Sequence, residues 1–405
     1  MIDLPLTSNW IQIGSRQTCW RDMPHLALPP RSVVAADSHE QALLAVAAHV
    51  RDPQELAIVP TGRLDEELIS EFRDQGFSIV QDLGISSHRA VPQSSTQPEN
   101  PGIWLLTSGS TGRPKRVHHT VASLTTVTSG QPSRTWLCAY APGSYAWWQV
   151  VTLGLSHSST NIVFVDAQQI DNWPEVALAS GVNAVSGTPT FWRHALWRNS
   201  QGVANIPLEQ VTLGGEPVDQ GILDALSHLH PRARITWIYA SSEAGAAIAV
   251  HDGRAGFPLE WLDRKVPNRP VISVDGEELV LSSPHASQGN ANRLRTGDRV
   301  EIEDGRVRIV GRLNSDEVNV GGSKVSVSAV RDTLMQHPGV VWARAHGRSA
   351  PIVGHVVVAE LVLQPGTTEA ELKTFCAERL PDHAVPRRFK ILDGVPLTES
   401  LKSRV

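Results

Sequence analysis

The sequence predicts an α/β protein with a large N-terminal part and a small C-terminal part. Up to about residue 250, short apolar runs alternate with segments of helical periodicity, which is typical of parallel strands joined by helices. Beyond residue 268, short alternating strands with charged turns predict hairpins, most clearly at Asp304-Gly305. We therefore expect parallel α/β subdomains and a small β-region in residues 1–310, followed by a small α+β domain in residues 311–405.

The same periodicities place the individual elements. Residues 91–102 are rich in proline and serine, so we expect a linker there without regular structure. Apolar runs predict strands at 56–60, 77–80, 136–140, 161–165, 184–187, 340–346 and 353–363. Helical spacing predicts helices at 39–51, 63–75, 117–128, 326–336 and 368–379.

Composition excludes several classes of protein. A formal net charge of −5 argues against a general nucleic-acid binder, which would carry a concentrated basic excess. No apolar run reaches the roughly 18 residues of a membrane span, and the N-terminus lacks the pattern of a leader peptide. Cys19, Cys138 and Cys376 lie far apart, so we expect buried free thiols and a cytoplasmic protein.

Residues 104–116 begin as a buried strand and continue as a loop of glycine and hydroxyl residues. Gly109 and Gly112 leave room for consecutive backbone N–H groups around an oxyanion. Further donors are Thr107, Ser108, Ser110, Thr111 and the ammonium group of Lys115. The pattern differs from the common P-loop, in which the lysine directly follows the last glycine. A nucleotide polyphosphate is the expected ligand, and a polar surface loop is the alternative. The predicted helix at 117–128 would then point its N-terminus at the phosphates.

Two later segments are also suited to a nucleotide. Gly215, Glu216 and Pro217 follow a predicted strand, where a flat ring can lie against bare backbone or where the chain simply turns. The strand from residue 237 ends in Tyr239, Ala240, Ser241, Ser242 and Glu243. The ring of Tyr239 can stack on adenine. The carboxylate of Glu243 can hold the Mg²⁺ that accompanies ATP, or be an ordinary solvated acid.

A third segment, Arg295-Thr-Gly-Asp298, ends in a carboxylate after a glycine turn. Such a carboxylate can accept hydrogen bonds from both ribose hydroxyls, as acidic residues do in other nucleotide-binding folds. An everyday hairpin turn is the alternative explanation. The four segments together are harder to explain as unrelated turns than any one of them alone.

Residues 107–115 closely resemble the phosphate loop of the adenylate-forming superfamily, which includes acyl-CoA and aryl-CoA synthetases. The Gly-Gly-Glu-Pro, Tyr-x-Ser-Ser-Glu and Thr-Gly-Asp segments resemble its later motifs and occur in the same order. Residues 311–325, which include Arg312, resemble its hinge region, and 396–402 resemble its terminal lysine motif. The resemblance covers roughly residues 100–405. The short region before the loop is similar to the compact o-succinylbenzoate–CoA ligase type.

This resemblance implies an enzyme that uses Mg²⁺ and ATP to activate a small-molecule carboxylic acid as an acyl-adenylate. The acyl group would then pass to a thiol, either coenzyme A or the phosphopantetheine of a carrier protein. Lys402 would stabilise the charge that develops at the α-phosphate. Thr107 and Glu243 would complete the catalytic set, with Glu243 as the metal ligand and Arg312 as a nucleotide contact. The small C-terminal domain would move between the two steps.

Two alternatives remain beside the acid–thiol ligase. One is an adenylating enzyme that loads a discrete acyl carrier protein or a non-thiol nucleophile. The other is a non-catalytic relative that binds nucleotide or acid. Leu401 stands where the superfamily has glycine before its lysine, and the hinge is one residue longer than the family pattern, so that its pivot is Asn314, Ser315 or Asp316.

The acid pocket is the least defined part of the predicted site. Tyr145, Trp147 and Trp148 replace a motif that many family members carry after their first helix. Together with Gly187 they either wall a pocket for an aromatic or apolar acid or belong to the core. The identity of the acid stays open at this level.

Overall fold

The computed structural model of the chain describes residues 6–81, 83, 101–107, 114–289, 293–313, 316–350, 354–398 and 401–402. Within these ranges the strands form four sheets, two of them mainly parallel. No helix in the same ranges combines the length and apolar character needed to cross a bilayer. The α/β class, the small β-region and the small C-terminal α+β part are all confirmed.

Strands and helices alternate through the first 250 residues, as predicted. In chain order they are β1 (Trp10–Ile13), β2 (Arg16–Cys19), β3 (Arg31–Ala35), α1 (His39–Arg51), β4 (Glu55–Val59), α2 (Glu66–Asp74), β5 (Ser78–Val80), β6 (Ile103–Thr107), β7 (Lys115–His119), α3 (Val121–Leu124), β8 (Arg134–Cys138), α4 (Tyr145–Ser156), β9 (Thr160–Phe164), α5 (Trp173–Ala179), β10 (Ala184–Gly187), α6 (Pro189–Ala204), β11 (Gln210–Gly214), α7 (Gln220–Leu229), β12 (Arg234–Ser241) and β13 (Gly245–Val250). Most of the predicted linker lies outside the described residues.

These strands build two sheets whose parallel strands end at a common edge. The smaller has the order β5-β3-β4-β6-β7, and the larger has the order β13-β12-β11-β10-β8-β9-β1-β2. Antiparallel pairs are confined to the margins of both sheets. In the larger sheet the strand order reverses at β8, with β9 on one side and β10 on the other. Such a switch point opens a crevice at the carboxyl ends of the strands.

The predicted helix at 117–128 is wrong. Residues 115–119 form β7 instead, which pairs antiparallel with β6 from Ile103 opposite His119 to Thr107 opposite Lys115. A helix begins only after Thr120, whose hydroxyl accepts from the Ser123 N–H, and it has four residues. Pairing with a neighbouring strand supplies the backbone hydrogen bonds that a helix would otherwise have made. A long helix dipole aimed at phosphate is therefore not part of this site.

The second part of the chain forms an antiparallel sheet and then a small α+β unit. The elements are β14 (Phe257–Pro258), β15 (Val271–Asp275), β16 (Glu278–Ser282), β17 (Leu294–Glu303), β18 (Arg306–Arg312), β19 (Glu317–Val320), β20 (Ser323–Ser326), α8 (Val327–Met335), β21 (Val340–Ala350), β22 (Gly354–Leu363), α9 (Glu369–Ala377) and β23 (Arg388–Ile391). The hairpin predicted at Asp304-Gly305 joins β17 to β18 and is confirmed. The predicted helices and strands of the C-terminal part are confirmed as α8, α9, β21 and β22.

The C-terminal unit has its own hydrophobic core. Its sheet has the order β20-β19-β22-β21, with β23 parallel to β22. Leu334 from α8, Leu361 from β22 and Leu372 from α9 are fully buried in this core. The unit also contacts the N-terminal part of the chain, because Arg193 of helix α6 donates a hydrogen bond of 3.0 Å to the carbonyl oxygen of Val341.

Gly143 brings the two parallel sheets close together. It lies between β8 and α4 with φ of +75°, and a Cβ atom there would be 2.0 Å from the carbonyl oxygen of Ile58 in β4. Both the backbone angle and the contact therefore require glycine.

We predict that Gly143→Ala lowers the free energy of unfolding by about 2 kcal/mol or more, because strain and steric overlap add. Gly130→Ala is the matched control, since a Cβ at Gly130 has no neighbour within 4 Å. Urea unfolding of both variants measures the difference. Equal stability of the two would contradict the role given to Gly143.

Candidate active site

A large cavity lies at the carboxyl ends of the parallel strands, where the crevice is expected. Gly214 and Gly215 at the end of β11, Tyr239 in β12 and Thr107 at the end of β6 line it. Its volume is about 2510 Å³, whereas a pocket for one drug-sized ligand has about 300–1,000 Å³. The cavity therefore has room for a nucleotide and a second substrate.

Asp298 lies in the cavity wall between two partners. The hydroxyl of Tyr239 donates to its Oδ2 atom, and Nε of Arg312 lies 3.0 Å from its Oδ1 atom. Burial raises the pKa of Asp298 above its ordinary value, and the two partners oppose this effect. Each carboxylate oxygen has a second lone pair, so Asp298 can still accept hydrogen bonds from a ligand.

The turn that carries Asp298 is held by the neighbouring strand. The backbone N–H of Gly297 donates to Oε1 of Glu278 at 2.9 Å, and the hydroxyl of Thr296 donates to the carbonyl oxygen of Leu279 at 2.8 Å. Glu278 and Leu279 belong to β16, where the pairing with β17 is locally irregular. These contacts fix the direction in which Asp298 faces the cavity.

Glu243 lies in the tight turn between β12 and β13, and it lines the cavity. A histidine and a serine hold this turn through its backbone. Nε2 of the buried His119 lies 2.6 Å from the carbonyl oxygen of Ser242. The backbone N–H of Ser287 donates to the carbonyl oxygen of Glu243 at 2.9 Å. Since a carbonyl only accepts, Nε2 of His119 carries a proton. Burial lowers the pKa of His119, which favours the neutral form.

Lys402 reaches the cavity because the end of the chain docks on α6. The hydroxyl of Thr188, the N-cap residue of α6, donates to the carbonyl oxygen of Leu401. Leu401 has φ of +59°, the conformation for which glycine is usual, and its side chain is 3% exposed. Leu401 thus adopts the backbone conformation typical of glycine, and its side chain packs into the main hydrophobic core.

The ammonium group of Lys402 lies over the bare backbone of Gly215. A Cβ atom at Gly215, where φ is +82°, would be 3.1 Å from Cε and 3.5 Å from Nζ of the lysine. Burial lowers the pKa of Lys402, and the charge of Glu216 partly offsets this effect. Glu216 in turn accepts a hydrogen bond of 3.0 Å from the backbone N–H of Thr190.

Most of the predicted site residues meet in this one cavity. Those that line it are Thr107, Tyr145, Gly215, Glu216, Pro217, Tyr239, Ala240, Ser241, Ser242, Glu243, Asp298, Arg312 and Lys402. Lys115 is exposed at the start of β7, next to Thr107 in the hairpin. Ser108, Gly109, Ser110, Thr111 and Gly112 lie outside the described residues, as do Asn314 and Ser315 of the hinge. Their assignment to phosphate binding or pivoting stays a prediction.

The assignment of Trp147, Trp148 and Gly187 to the substrate pocket is wrong. The two tryptophans are 0% and 1% exposed and belong to the main core, where Nε1 of Trp147 donates to Nδ1 of His39 at 3.1 Å. Gly187 is buried under the ring of Phe191. Because α4 is helical, Tyr145 faces the cavity whereas the next two tryptophans face the sheets.

Several polar residues of the cavity escaped the sequence-based prediction. One of them is Thr188, whose hydroxyl docks the end of the chain. Gln210 and Thr212 of β11 and Thr236 of β12 also line the cavity. The available signal was the occurrence of polar residues at every second position of strands that are otherwise apolar.

The fold and the cavity define a nucleotide-binding α/β protein whose small C-terminal unit contributes a lysine to the site. The chain belongs to the AMP-binding enzyme family. The sequence model of that family matches residues 26–289, and the model of the AMP-binding enzyme C-terminal domain matches residues 330–402. The resemblance to the adenylate-forming superfamily is thereby confirmed.

Individual relatives are distant. A 2-succinylbenzoate–CoA ligase of Bacillus velezensis is 24% identical over 77% of this chain and 69% of its own length. Malpinin synthetase of Mortierella alpina is 26% identical over 51% of this chain, which spans only 3% of that protein. The structure of a single-substitution variant of Escherichia coli MenE with bound OSB-AMS has a TM-score of 0.73 at 19% identity, over 95% of this chain and 92% of that one. This structural likeness supports the fold.

We predict that Thr188→Val releases the end of the chain, because valine keeps the shape of threonine and loses the hydroxyl, which donates to Leu401 and also accepts from the N–H of Phe191. Lys402 should then react several-fold faster with an amine-directed reagent, measured by mass spectrometry of the C-terminal peptide. Thr188→Ser keeps the hydroxyl and is the control. An unchanged rate in Thr188→Val would show that this hydrogen bond does not hold Lys402 in place.

Proposed function

We propose that the protein is an AMP-forming acid–thiol ligase that joins a carboxylic acid to coenzyme A through an acyl-adenylate. The observation that carries this proposal is the position of Lys402, which lies over Gly215 in a cavity lined by Tyr239, Asp298 and Arg312. A protein that only binds a ligand would not need the ammonium group of Lys402 in this cavity. A cytoplasmic location fits the free thiols, of which Cys138 and Cys376 are buried and Cys19 is half-buried.

In the first half-reaction a carboxylate oxygen attacks the α-phosphorus of ATP. A new P–O bond forms, and the bond to pyrophosphate breaks with its electron pair leaving on pyrophosphate. Negative charge on the α-phosphoryl oxygens grows towards the transition state, so an ammonium placed beside them stabilises that state more than the ground state. Lys402 would have this role, with Tyr239 against the adenine and Asp298 holding the ribose hydroxyls.

Glu243 fits the requirements of Mg²⁺. This ion is usually bound by one or two carboxylates together with substrate phosphates and water. Among the described residues no group of three or more His, Cys, Asp or Glu side chains is placed to hold a metal by itself. Glu243 would therefore hold the ion together with phosphate oxygens, and the ion neutralises phosphate charge when it is bound. Thr107 and the predicted loop that follows it would contact the same phosphates.

In the second half-reaction a thiol attacks the acyl carbon and AMP leaves. Lys402 occupies the cavity in the present arrangement, which suits the first half-reaction. We propose that the part of residues 311–405 that follows β18 forms a small domain that moves to let the thiol enter. Its own core and sheet support independent movement, and β18 ends at Arg312, where the hinge was expected. The phosphopantetheine of a discrete acyl carrier protein is the other thiol to test.

Acid-dependent release of pyrophosphate tests the whole proposal. A panel of aryl, fatty and dicarboxylic acids is incubated with Mg²⁺ and ATP, beginning with 2-succinylbenzoate, the acid in the name of one relative. At least one acid should give pyrophosphate, and then a CoA thioester when coenzyme A is added. If no acid in the panel gives pyrophosphate, a non-catalytic protein is the better explanation.

We predict that Lys402→Ala slows acid-dependent pyrophosphate release by about a hundredfold or more, the usual cost of losing one charged contact to the transition state. Thioester formation from a preformed acyl-adenylate should change less than about threefold, because Lys402 acts only in the first step. Lys373→Ala, at an exposed position of α9, is the control. Equal losses in both half-reactions would contradict the assignment.

We predict that pyrophosphate release also falls at alkaline pH because Lys402 loses its proton. Burial lowers its pKa below the ordinary value of 10.5. The charged form is therefore present below that lowered pKa and is lost as the pH rises through it. Lys402→Arg keeps its charge throughout this range. Its pH–rate profile should lack the alkaline decrease, and a decrease at the same pH in this variant would assign the titration to another group.

A further inference from the structure

Helix α6 contacts the small C-terminal unit beyond its N-cap residue. Nη1 of Arg193 donates to the carbonyl oxygen of Val341 in β21 at 3.0 Å. One turn further along the helix, Trp197 packs against the apolar cluster that contains Trp342 of the same strand and Val395. Residues four positions apart lie on the same face of a helix. One face of α6 therefore carries the small unit.

The contacts on α6 determine where the terminal lysine lies. Val395 is 5% exposed and precedes by three residues the turn that carries Lys402. This turn is closed at Thr398, whose hydroxyl donates to the carbonyl oxygen of Lys402 at 2.8 Å and accepts from its N–H at 3.2 Å. A closed turn moves together with the residues that anchor its start. A shift of β21 and Val395 along α6 would thus move Lys402 away from Gly215.

Arg193 is held in a fixed direction by a carboxylate of the N-terminal part. Its Nη2 atom lies 2.8 Å from Oδ1 and 2.6 Å from Oδ2 of Asp219. Asp219 is the N-cap residue of α7, and its Oδ1 atom also accepts from the N–H of Ile222 at 3.2 Å. The planar guanidinium group has further donors for another partner. Asp219 therefore prepares Arg193 to bind the carbonyl oxygen of β21.

Asp219 also faces a second arginine across the crevice between the two parts. Arg331 of α8 belongs to the small unit, and both residues line the cavity. The charges that act on Arg331 are those of Asp332, Asp219 and Asp316. The side chains of Arg331 and Asp332 are 28% and 36% exposed, so water reaches them. Asp219 thus interacts with one arginine from each part of the chain.

Of the three acids, Asp219 is the one that comes from the N-terminal part. Asp316 is occupied within the small unit, because its oxygens accept from the hydroxyls of Ser326 and Ser328 and from the N–H of Ser328. Asp332 is the chain neighbour of Arg331 and moves with it. If the small unit left α6, Arg331 would keep these two acids and lose only Asp219.

We propose that Arg193 and Asp219 form a docking pair that holds the small unit on α6 and so positions Lys402 over Gly215. The carbonyl oxygen of Val341 and the charge of Arg331 are its two partners in the small unit. A single hydrogen bond and a water-accessible ionic contact each contribute little, so both can break and form again in every reaction cycle. The pair acts through Lys402. Its effect on catalysis rests on the proposed two-step reaction, whereas its effect on docking does not.

A purely structural role is the alternative, in which Asp219 caps α7 and joins it to α6. The variant Asp219→Asn separates the two roles. Asparagine caps a helix as well as aspartate does, so α7 keeps its N-terminal hydrogen bond. The variant removes the negative charge that both Arg193 and Arg331 use. A structural role predicts no effect on Lys402, and a docking role predicts its release.

Chemical modification of Lys402 tests docking without any catalytic reaction. Arg193→Met and Asp219→Asn should each speed its reaction with an amine-directed reagent by about threefold or more, the effect of losing a typical hydrogen bond. Arg198→Met is the matched control, because Arg198 is exposed on the same helix and paired with Asp171. An unchanged Lys402 rate in both test variants overturns the inference. So does an equal rise at the exposed Lys373, which would indicate loss of the fold.

A double variant tests the contact across the crevice. Arg331→Gln should speed the modification of Lys402 in the wild-type background and have a much smaller effect in the Asp219→Asn background, since residues in contact are not additive. Effects that multiply fully in the double variant would overturn the contact between Asp219 and Arg331.

The two half-reactions test the consequence for catalysis. Arg193→Met and Asp219→Asn should slow acid-dependent pyrophosphate release by about fivefold, because Lys402 is docked for less of the time. Thioester formation from a preformed acyl-adenylate should not fall, because it does not need docked Lys402. Equal losses in both half-reactions overturn the positioning role. If the wild-type protein releases no pyrophosphate with any acid, the proposed function fails, and the modification of Lys402 still decides whether the pair docks the small unit.

Discussion

The parallel pairing of β10, β11 and β12 is the constraint on which the site depends. Because the three strands run in the same direction, the residues at their carboxyl ends reach one edge of the sheet. Thr188, Gly215 and Tyr239 therefore come together although they are far apart in the sequence. The switch in strand order at β8 opens the space that they surround. Residues from the antiparallel sheet and from the end of the chain then complete the cavity.

The docking of the chain terminus combines opposite requirements. In the proposed two-step reaction the lysine would act at the site in one half-reaction and would have to leave it for the other. One hydrogen bond from Thr188, the buried side chain of Leu401 and the contact between Arg193 and Val341 hold the present arrangement. Apolar packing of Trp197 from α6 against Trp342 and Val395 of the small unit adds to these contacts. Leucine in place of glycine strengthens the hold through burial and weakens it through an unfavourable φ.

Charged side chains in the cavity have partners of opposite charge or hydrogen-bond donors, and some of their polar atoms can still bind a ligand. Asp298 is held by Tyr239 and Arg312 and keeps lone pairs for further hydrogen bonds. Lys402 is near the opposite charge of Glu216, which limits the effect of burial on its pKa. Arg134 also lines the cavity, and its buried Nε atom has no hydrogen-bond partner among the described residues.

The sequence by itself determined the fold class, most strands and helices, and the residues around the expected nucleotide. Local periodicity and the order of short motifs carry that information, and both are properties of neighbouring residues. Only the tertiary structure decided that residues 115–119 pair with β6 rather than form a helix, since strand pairing depends on a distant partner. It also decided that Trp147 and Trp148 belong to the core, because an apolar side chain suits a core and a pocket equally well. The meeting of Lys402 with Gly215, and of Gln210 with Thr236, could not be inferred from neighbours in the chain, since sheet topology alone brings them together.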